Sequence, residues 1–213
     1  ACEACIIRRT RMAQPEVILF VKYPEPGRVK TRLARTVGDA EAARMYASVA
    51  EQNCRVLKAL PGREASVTVA FDPVEAEESV RHWLGADFSY TAQRGEGLGE
   101  RLTHAFLSAF QKGSSKVLAL GSDTLGLEAS DIERAWEALD RADVVIGPAK
   151  DGGYYLVGMG RCHTALFENI PWSTPQVFEK TVTRAQATGL SIAFLRELGD
   201  LDEEPLCGID RNL

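Results

Sequence analysis

The feature that most constrains this chain is a repeated exchange between short β-branched or aliphatic runs and longer helix-forming stretches. Val17 to Val21 is a continuous apolar run of the kind buried on both faces of a parallel sheet. Ser66 to Phe71, Val117 to Leu120, Asp143 to Gly147, Tyr154 to Met159 and Ser191 to Leu195 read as further strands, with Phe88 to Ala92 as a short one. Between them, the spacing predicts helices over 39–59, 74–84, 98–111, 130–139 and 175–187. In the first, Ala42, Met45, Val49, Val56 and Leu60 fall near helical spacing, and Pro61-Gly62 closes it. Ser130-Asp131-Ile132-Glu133 fits a capping box, and Thr174-Pro175 an N-cap with a first-turn proline. Strands alternating with helices specify an α/β fold, a mostly parallel sheet flanked by helices.

At roughly 100–200 residues per domain, 213 residues make one domain. The expected division is a flexible N-terminal tail over 1–14 and a single domain over 15–213. Met12 is a possible internal start, which would make the first eleven residues dispensable. A net charge of −5 argues against a general nucleic-acid binder, which carries a basic footprint. No apolar run approaches the roughly 20 residues that span a bilayer. Five scattered cysteines are an odd number and no disulfide framework, which fits a reducing, cytoplasmic setting. Cys2-Glu3-Ala4-Cys5 has no second pair to complete a zinc site.

In sheets of this class, ligands sit beyond the carboxyl ends of strands, where the strand order reverses. The residues just after each strand are therefore the candidates. After the first strand, Lys22, Arg28, Lys30, Arg32 and Arg35 place five cations within fourteen residues, against one acid, Glu25. Lys and Arg supply the donors a diphosphate needs, and Gly27 allows close backbone approach. A solvated basic loop is the plainer alternative. The segment is no Walker A loop, since Gly27-Arg28-Val29-Lys30-Thr31 lacks the first glycine and the adjacent Gly-Lys.

Gly95-Glu96-Gly97-Leu98-Gly99 is a poor dinucleotide fingerprint, its third glycine falling one place early. It reads as a wall over a ligand, with Gln93 and Arg101 as hydrogen-bonding groups, or as a simple turn. Asp123, in Gly121-Ser122-Asp123-Thr124, suits a hard divalent cation bridging phosphate oxygens, and equally a turn or cap. Asp151-Gly152-Gly153 is either a tight loop exposing Asp151 to a pocket or a hairpin turn. Asp200 and Asp202 offer a second carboxylate pair or a surface acidic turn. Trp172-Ser173-Thr174 lines an acceptor site, or Trp172 is a packing anchor. His82, His104 and His163 show no nucleophile pattern, and no Gly-x-Ser-x-Gly elbow occurs.

Five blocks occur in a familiar order: Phe20-x-Lys22-x-Pro24-x-Pro26-Gly27-Arg28-Val29-Lys30-Thr31-Arg32-Leu33, Gly99-Glu100-Arg101, Gly121-Ser122-Asp123, Gly147-Pro148-x-x-Asp151-Gly152-Gly153-Tyr154-Tyr155-Leu156 and Trp172-Ser173-Thr174. Over residues 16–202 the chain resembles the radical-SAM/selenodomain-associated, arsenosugar-biosynthesis-type glycosyltransferase-like family of the nucleotide-diphospho-sugar transferase superfamily. It departs from the family pattern at Leu125, where a proline is usual, and at Glu96-Gly97, where an acid normally precedes the leucine.

The resemblance implies the GT-A fold and a divalent metal, Mg²⁺ or Mn²⁺, held by Asp123. It implies that Lys22, Arg28, Lys30 and Arg32 face donor phosphates and that Asp151 with Tyr154 lies at the reacting end. Gly27, Gln93, Arg101, Gly152, Gly153, Trp172 and Ser173 complete the expected substrate-binding set. The expected activity is metal-dependent transfer of a sugar from a nucleotide-diphospho-sugar donor to a small-molecule acceptor. The alternatives are a nucleotidyltransferase joining a nucleoside triphosphate to a phosphorylated small molecule, and a non-catalytic nucleotide-binding relative.

Overall fold

Glu16–Lys22 forms β1, and its alternate side chains enter two separate cores. Val17, Leu19 and Val21 face one layer while Ile18 faces the other, which is why the run carries no polar alternation. Each such side chain taken fully from water contributes about 1.5–3 kcal/mol. The structure, a computed structural model, describes residues 13–60 and 65–201. Most of the expected tail, the Cys2–Cys5 pair, Pro61-Gly62 and Asp202 lie outside these residues. Gln14, assigned to the tail by sequence, accepts a hydrogen bond from the Ser115 N–H at 3.0 Å.

The elements follow in the order α1 (Thr31–Val37), α2 (Asp39–Lys58), β2 (Ser66–Asp72), α3 (Glu77–Leu84), β3 (Ser89–Ala92), α4 (Leu98–Gln111), β4 (Val117–Gly121), β5 (Thr124–Leu125), α5 (Ala129–Ala138), β6 (Val144–Pro148), β7 (Tyr154–Met159), α6 (Val177–Ala187), β8 (Ile192–Phe194) and β9 (Gly199–Asp200). Seven strands make the main sheet in the order β3-β2-β1-β4-β7-β6-β8, with β7 antiparallel to both its neighbours. β5 and β9 form a separate two-stranded antiparallel pair. Side chains from α2, α3 and α5 cover one face of the sheet and those of α4 and α6 the other. The fold is therefore the expected mixed α/β sandwich with a mostly parallel sheet. No helix among the described residues is long and apolar enough to cross a membrane.

Three local expectations are corrected. The cap of α5 is Glu128, whose N–H donates to the Asp131 carboxylate at 2.9 Å, so the cap lies two residues ahead of Ser130. Thr174 and Pro175 lie in a turn, and α6 begins at Val177, preceded by Gln176. The buried stripe of α2 runs through Tyr46, Val49, Ala50, Asn53 and Leu57, leaving Met45 and Val56 half-buried. An apolar-only count passes over the asparagine and so rotates the stripe.

Chain order reverses between β1 and β4. From β1 the chain moves outward to β2 and β3, then returns through α4 to place β4 on the other side of β1. The segments leaving β1 and β4 therefore diverge and open a crevice between them.

Candidate functional site

That crevice is the mouth of a cavity of about 920 Å³ lined from residue 20 to residue 200. The basic loop after β1 forms one bank through Lys22, Arg28, Lys30 and Arg32. Its α1 was not foreseen, because seven residues of mixed polarity give too short a periodic signal. Leu33 anchors it, fully buried against Ala42, Tyr46 and Leu201.

The opposite bank is the turn after β4. Here Lys30 Nζ lies 2.5 Å from Asp123 Oδ2, with the lysine side chain 13% and the aspartate 34% exposed. Two of the sequence blocks, ninety residues apart, thus meet as an ion pair across the strand-order reversal. Lys30 has a left-handed backbone (φ 46°, ψ 47°), unfavourable for a side-chain-bearing residue and tolerated where the surrounding structure fixes it. Ser173, on the far wall, is left-handed as well (φ 63°).

Asp123 is held from behind by α2. The Tyr46 hydroxyl accepts from the Lys22 N–H at 2.9 Å and shares a 2.8 Å hydrogen bond with Ser122 Oγ. Asn53 Nδ2 donates to the carbonyls of Ser122 and Thr124, both at 3.0 Å. The Asp123 carbonyl accepts from the Leu201 N–H at 3.0 Å, and Thr124 pairs with Asp200 in the β5–β9 ladder. Burial pushes the Tyr46 phenol well above its usual range, so it stays protonated and able to donate. Neither Tyr46 nor Asn53 was foreseen as part of the site. The signal was present in Asn53, an amide on the buried, mostly apolar face of an amphipathic helix.

Gln93 and Arg101 both line the cavity and are engaged with the protein. Gln93 Nε2 donates to the carbonyls of Val21 and Ala70 at 3.2 and 2.8 Å, bracing the ends of β1 and β2. Arg101 Nη1 donates to Gln93 Oε1 at 3.0 Å and lies 3.0 Å from Asp72 Oδ2. Asp72, the last residue of β2, is a cavity residue as well.

The third wall is the β6–β7 hairpin with the 172–175 turn. The Asp151 loop is a hairpin connection and also faces the cavity, so both sequence alternatives hold. The Gly153 N–H donates to Asp151 Oδ1 at 2.8 Å and fixes that carboxylate. Tyr154 lines the cavity, yet its hydroxyl is buried and turned toward Thr181, so the hydroxyl does not reach the lumen. Trp172 packs edge-on against Tyr154 at 6.3 Å and approaches Gly99 so closely that a Cβ there would stand 2.6 Å from the indole nitrogen. Trp172 and Ser173 line the cavity together.

Gly27 and Gly152 stand behind the lining. Gly27 turns the basic loop at φ 80°, and Gly152, at φ 87°, lies against Pro175, where a Cβ would come within 2.3 Å of the carbonyl oxygen. Asp200 is in the cavity, adjacent in the ladder to the Asp123 turn.

Among the described residues no group of three or more His, Cys, Asp and Glu is placed to hold a metal ion. A divalent cation here would need a carboxylate or two from the protein with the remaining oxygens from substrate phosphates and water, the usual habit of Mg²⁺. Asp123 is the carboxylate so placed.

Residues 56–174 match a family described as an uncharacterized protein conserved in bacteria (DUF2064). Among solved structures, the chain is similar to a protein of Desulfovibrio desulfuricans G20 provisionally named a nucleotide-diphospho-sugar transferase. Identity is 35%, over 90% of this chain and 83% of that one, with a TM-score of 0.83. It shares a fold with the inositol-1-phosphate CTP transferase of T. maritima, at 16% identity, 89% and 90% coverage and a TM-score of 0.55. It shares it also with the 4-diphosphocytidyl-2C-methyl-D-erythritol synthase of Anaerococcus prevotii DSM 20548, at 9% identity, 86% coverage of each chain and a TM-score of 0.58. Among curated proteins none matches. With more than half its length matched by the family model, and a 35%-identical relative aligned almost end to end, the chain belongs to the DUF2064 family and carries the fold of nucleotide-diphospho-sugar transferases.

Proposed function

We propose that the protein transfers a sugar from a nucleotide-diphospho-sugar to the hydroxyl of a small-molecule acceptor. The observation that carries this reading is the meeting of Lys30 and Asp123 at the strand-order reversal, which joins an anion grip to a carboxylate in one cavity. The resemblance to arsenosugar-type glycosyltransferases supports a sugar as the transferred group.

Lys22, Arg28, Lys30 and Arg32 bind the diphosphate through charge-assisted hydrogen bonds. Their positive charge stabilises the negative charge that builds on the departing nucleoside diphosphate. A Mg²⁺ or Mn²⁺ ion on Asp123 would supply Lewis-acid neutralisation of the same oxygens. Asp151, oriented by the Gly153 N–H, accepts the acceptor's hydroxyl proton as its oxygen attacks the anomeric carbon. The bond from that carbon to the diphosphate oxygen breaks, and direct displacement inverts the centre. Trp172 and Ser173 wall the acceptor side, and Tyr154 supports Trp172 from beneath.

The shared fold with a CTP transferase favours a second reading, nucleotidyl transfer with release of pyrophosphate. A thermal-shift screen of UDP-, GDP- and ADP-linked sugars and of the four nucleoside triphosphates, each with and without Mn²⁺, tests both. A melting temperature raised by a nucleotide sugar, and lost in Asp123→Ala, is expected. Release of pyrophosphate from a triphosphate, followed by phosphorus NMR, selects the second reading; no shift with any nucleotide rejects both.

A further inference from the structure

The two partners of the central ion pair differ in freedom. Asp123 is fixed by its backbone: its own carbonyl is bonded to the Leu201 N–H, and those of its neighbours Ser122 and Thr124 are bonded to Asn53. Lys30 reaches the pair on a four-carbon stem from a left-handed backbone position at the start of α1, between Arg28 in the preceding loop and Arg32 in the first turn of the helix. A lysine is a compact point charge with many rotamers, so the lysine is the partner that can leave.

We propose that Lys30 is a resident counter-ion, occupying the cation position on Asp123 in the unliganded protein and passing to ligand phosphates when a nucleotide and a divalent cation enter together. The inference rests on the reading that Asp123 is the cation-binding carboxylate and that the basic loop takes phosphate.

The physical consequence is a coupling. A divalent cation arriving alone must displace an ammonium 2.5 Å from its carboxylate and leave it partly buried without a partner, which opposes binding. A cation arriving with phosphate gives that ammonium a new anion within reach of the same loop. Cation and nucleotide therefore each raise the other's affinity by the same factor. The pair also keeps the ligand-free cavity from holding an unpaired carboxylate.

The test is a titration of free Mn²⁺ by electron paramagnetic resonance, with no nucleotide present, on wild type, Lys30→Gln, Lys30→Arg and the double variant K30Q/D123N. Lys30→Gln is expected to bind Mn²⁺ about fivefold more tightly than wild type, the effect of losing one ion-pair competitor at the upper end of ordinary strength. Lys30→Arg keeps the charge and is expected to bind as weakly as wild type, and the double variant is expected to lose the gain. Equal Mn²⁺ affinity in wild type and Lys30→Gln, binding by neither, or a gain that survives Asp123→Asn overturns the exchange. A separate thermal-shift series of wild type with UDP, CDP, GDP and ADP plus Mg²⁺ reads the underlying assignment. Silence there rejects the nucleotide role and leaves the manganese comparison readable on its own.

Discussion

Two sides of the cavity differ in what sets their shape. The wall after β1 and β4 is polar and tied by hydrogen bonds: Tyr46 and Asn53 on α2 reach across to the backbone of Lys22, Ser122 and Thr124 and to the Ser122 hydroxyl. The wall made by the hairpin and the 172–175 turn has backbone hydrogen bonds too, such as Phe178 N–H to the Gly152 carbonyl at 2.9 Å, but its outline is set by close approach, with Gly152 against Pro175 and Gly99 against Trp172. Hydrogen bonds fix direction, so the first wall can aim charges at a small anion. Van der Waals contact fixes shape, so under the proposed function the second could be recut for a different acceptor while the first stayed unchanged. The proposed transfer would use that division, since an activated donor is chemically uniform near its phosphates and an acceptor is not.

The sharpest way to break this contrast is Gly152→Ala. A methyl group would stand 2.3 Å from the Pro175 carbonyl oxygen at a backbone φ of 87°. The expected loss is about 3 kcal/mol of stability, read by urea denaturation. A loss under about 1 kcal/mol would mean that the hairpin wall yields, and that close approach is not what shapes it.

Asn53→Ala attacks the polar wall. It leaves two carbonyls beside Asp123 without their donor and is expected to cost about 2 kcal/mol. Unlike Gly152→Ala, it is expected to weaken Mg²⁺–nucleotide binding in protein that remains folded, measured by calorimetric titration. Equal effects of both variants on nucleotide affinity would erase the distinction between the walls.

The smallest effect is one of pH and isolates the packing behind α2. Burial pushes the Cys54 thiol from 9.0 up to about 12, with Lys58 partly opposing the shift. The raised folded value means the folded chain keeps its proton while the unfolded chain loses it. The contribution is thus complete below pH 9 and is lost as pH climbs from there toward 12. Wild-type stability is expected to fall more steeply between pH 9 and 10 than that of Cys54→Ala, by at most about 1.4 kcal/mol per pH unit. Parallel urea curves at both pH values would show that the thiol's surroundings do not favour its neutral form.

Legibility in the sequence followed the scale of each signal. β1 and α4 were readable to within a residue because their apolar patterns are long and unbroken. The basic loop was legible as a concentration of charge, but its pairing with Asp123 is a fact of topology, fixed by β4 lying next to β1. The two-residue strands β5 and β9 carry no pattern at all, yet their pairing holds the Asp123 turn. Asn53 was hidden for the opposite reason: it obeys helical spacing while failing the test for apolarity. The burial of the Tyr154 hydroxyl depends on where α6 packs, and no local sequence reports that.

The return of β4 to the flank of β1 has a consequence for how the molecule responds to its ligand. Whatever settles in the crevice touches segments drawn from nearly the full span of the described fold, so no early or partial folding unit can present that binding surface. Occupancy is therefore expected to protect remote backbone amides, such as those of α4 and β2, from exchange with solvent about as strongly as those lining the crevice.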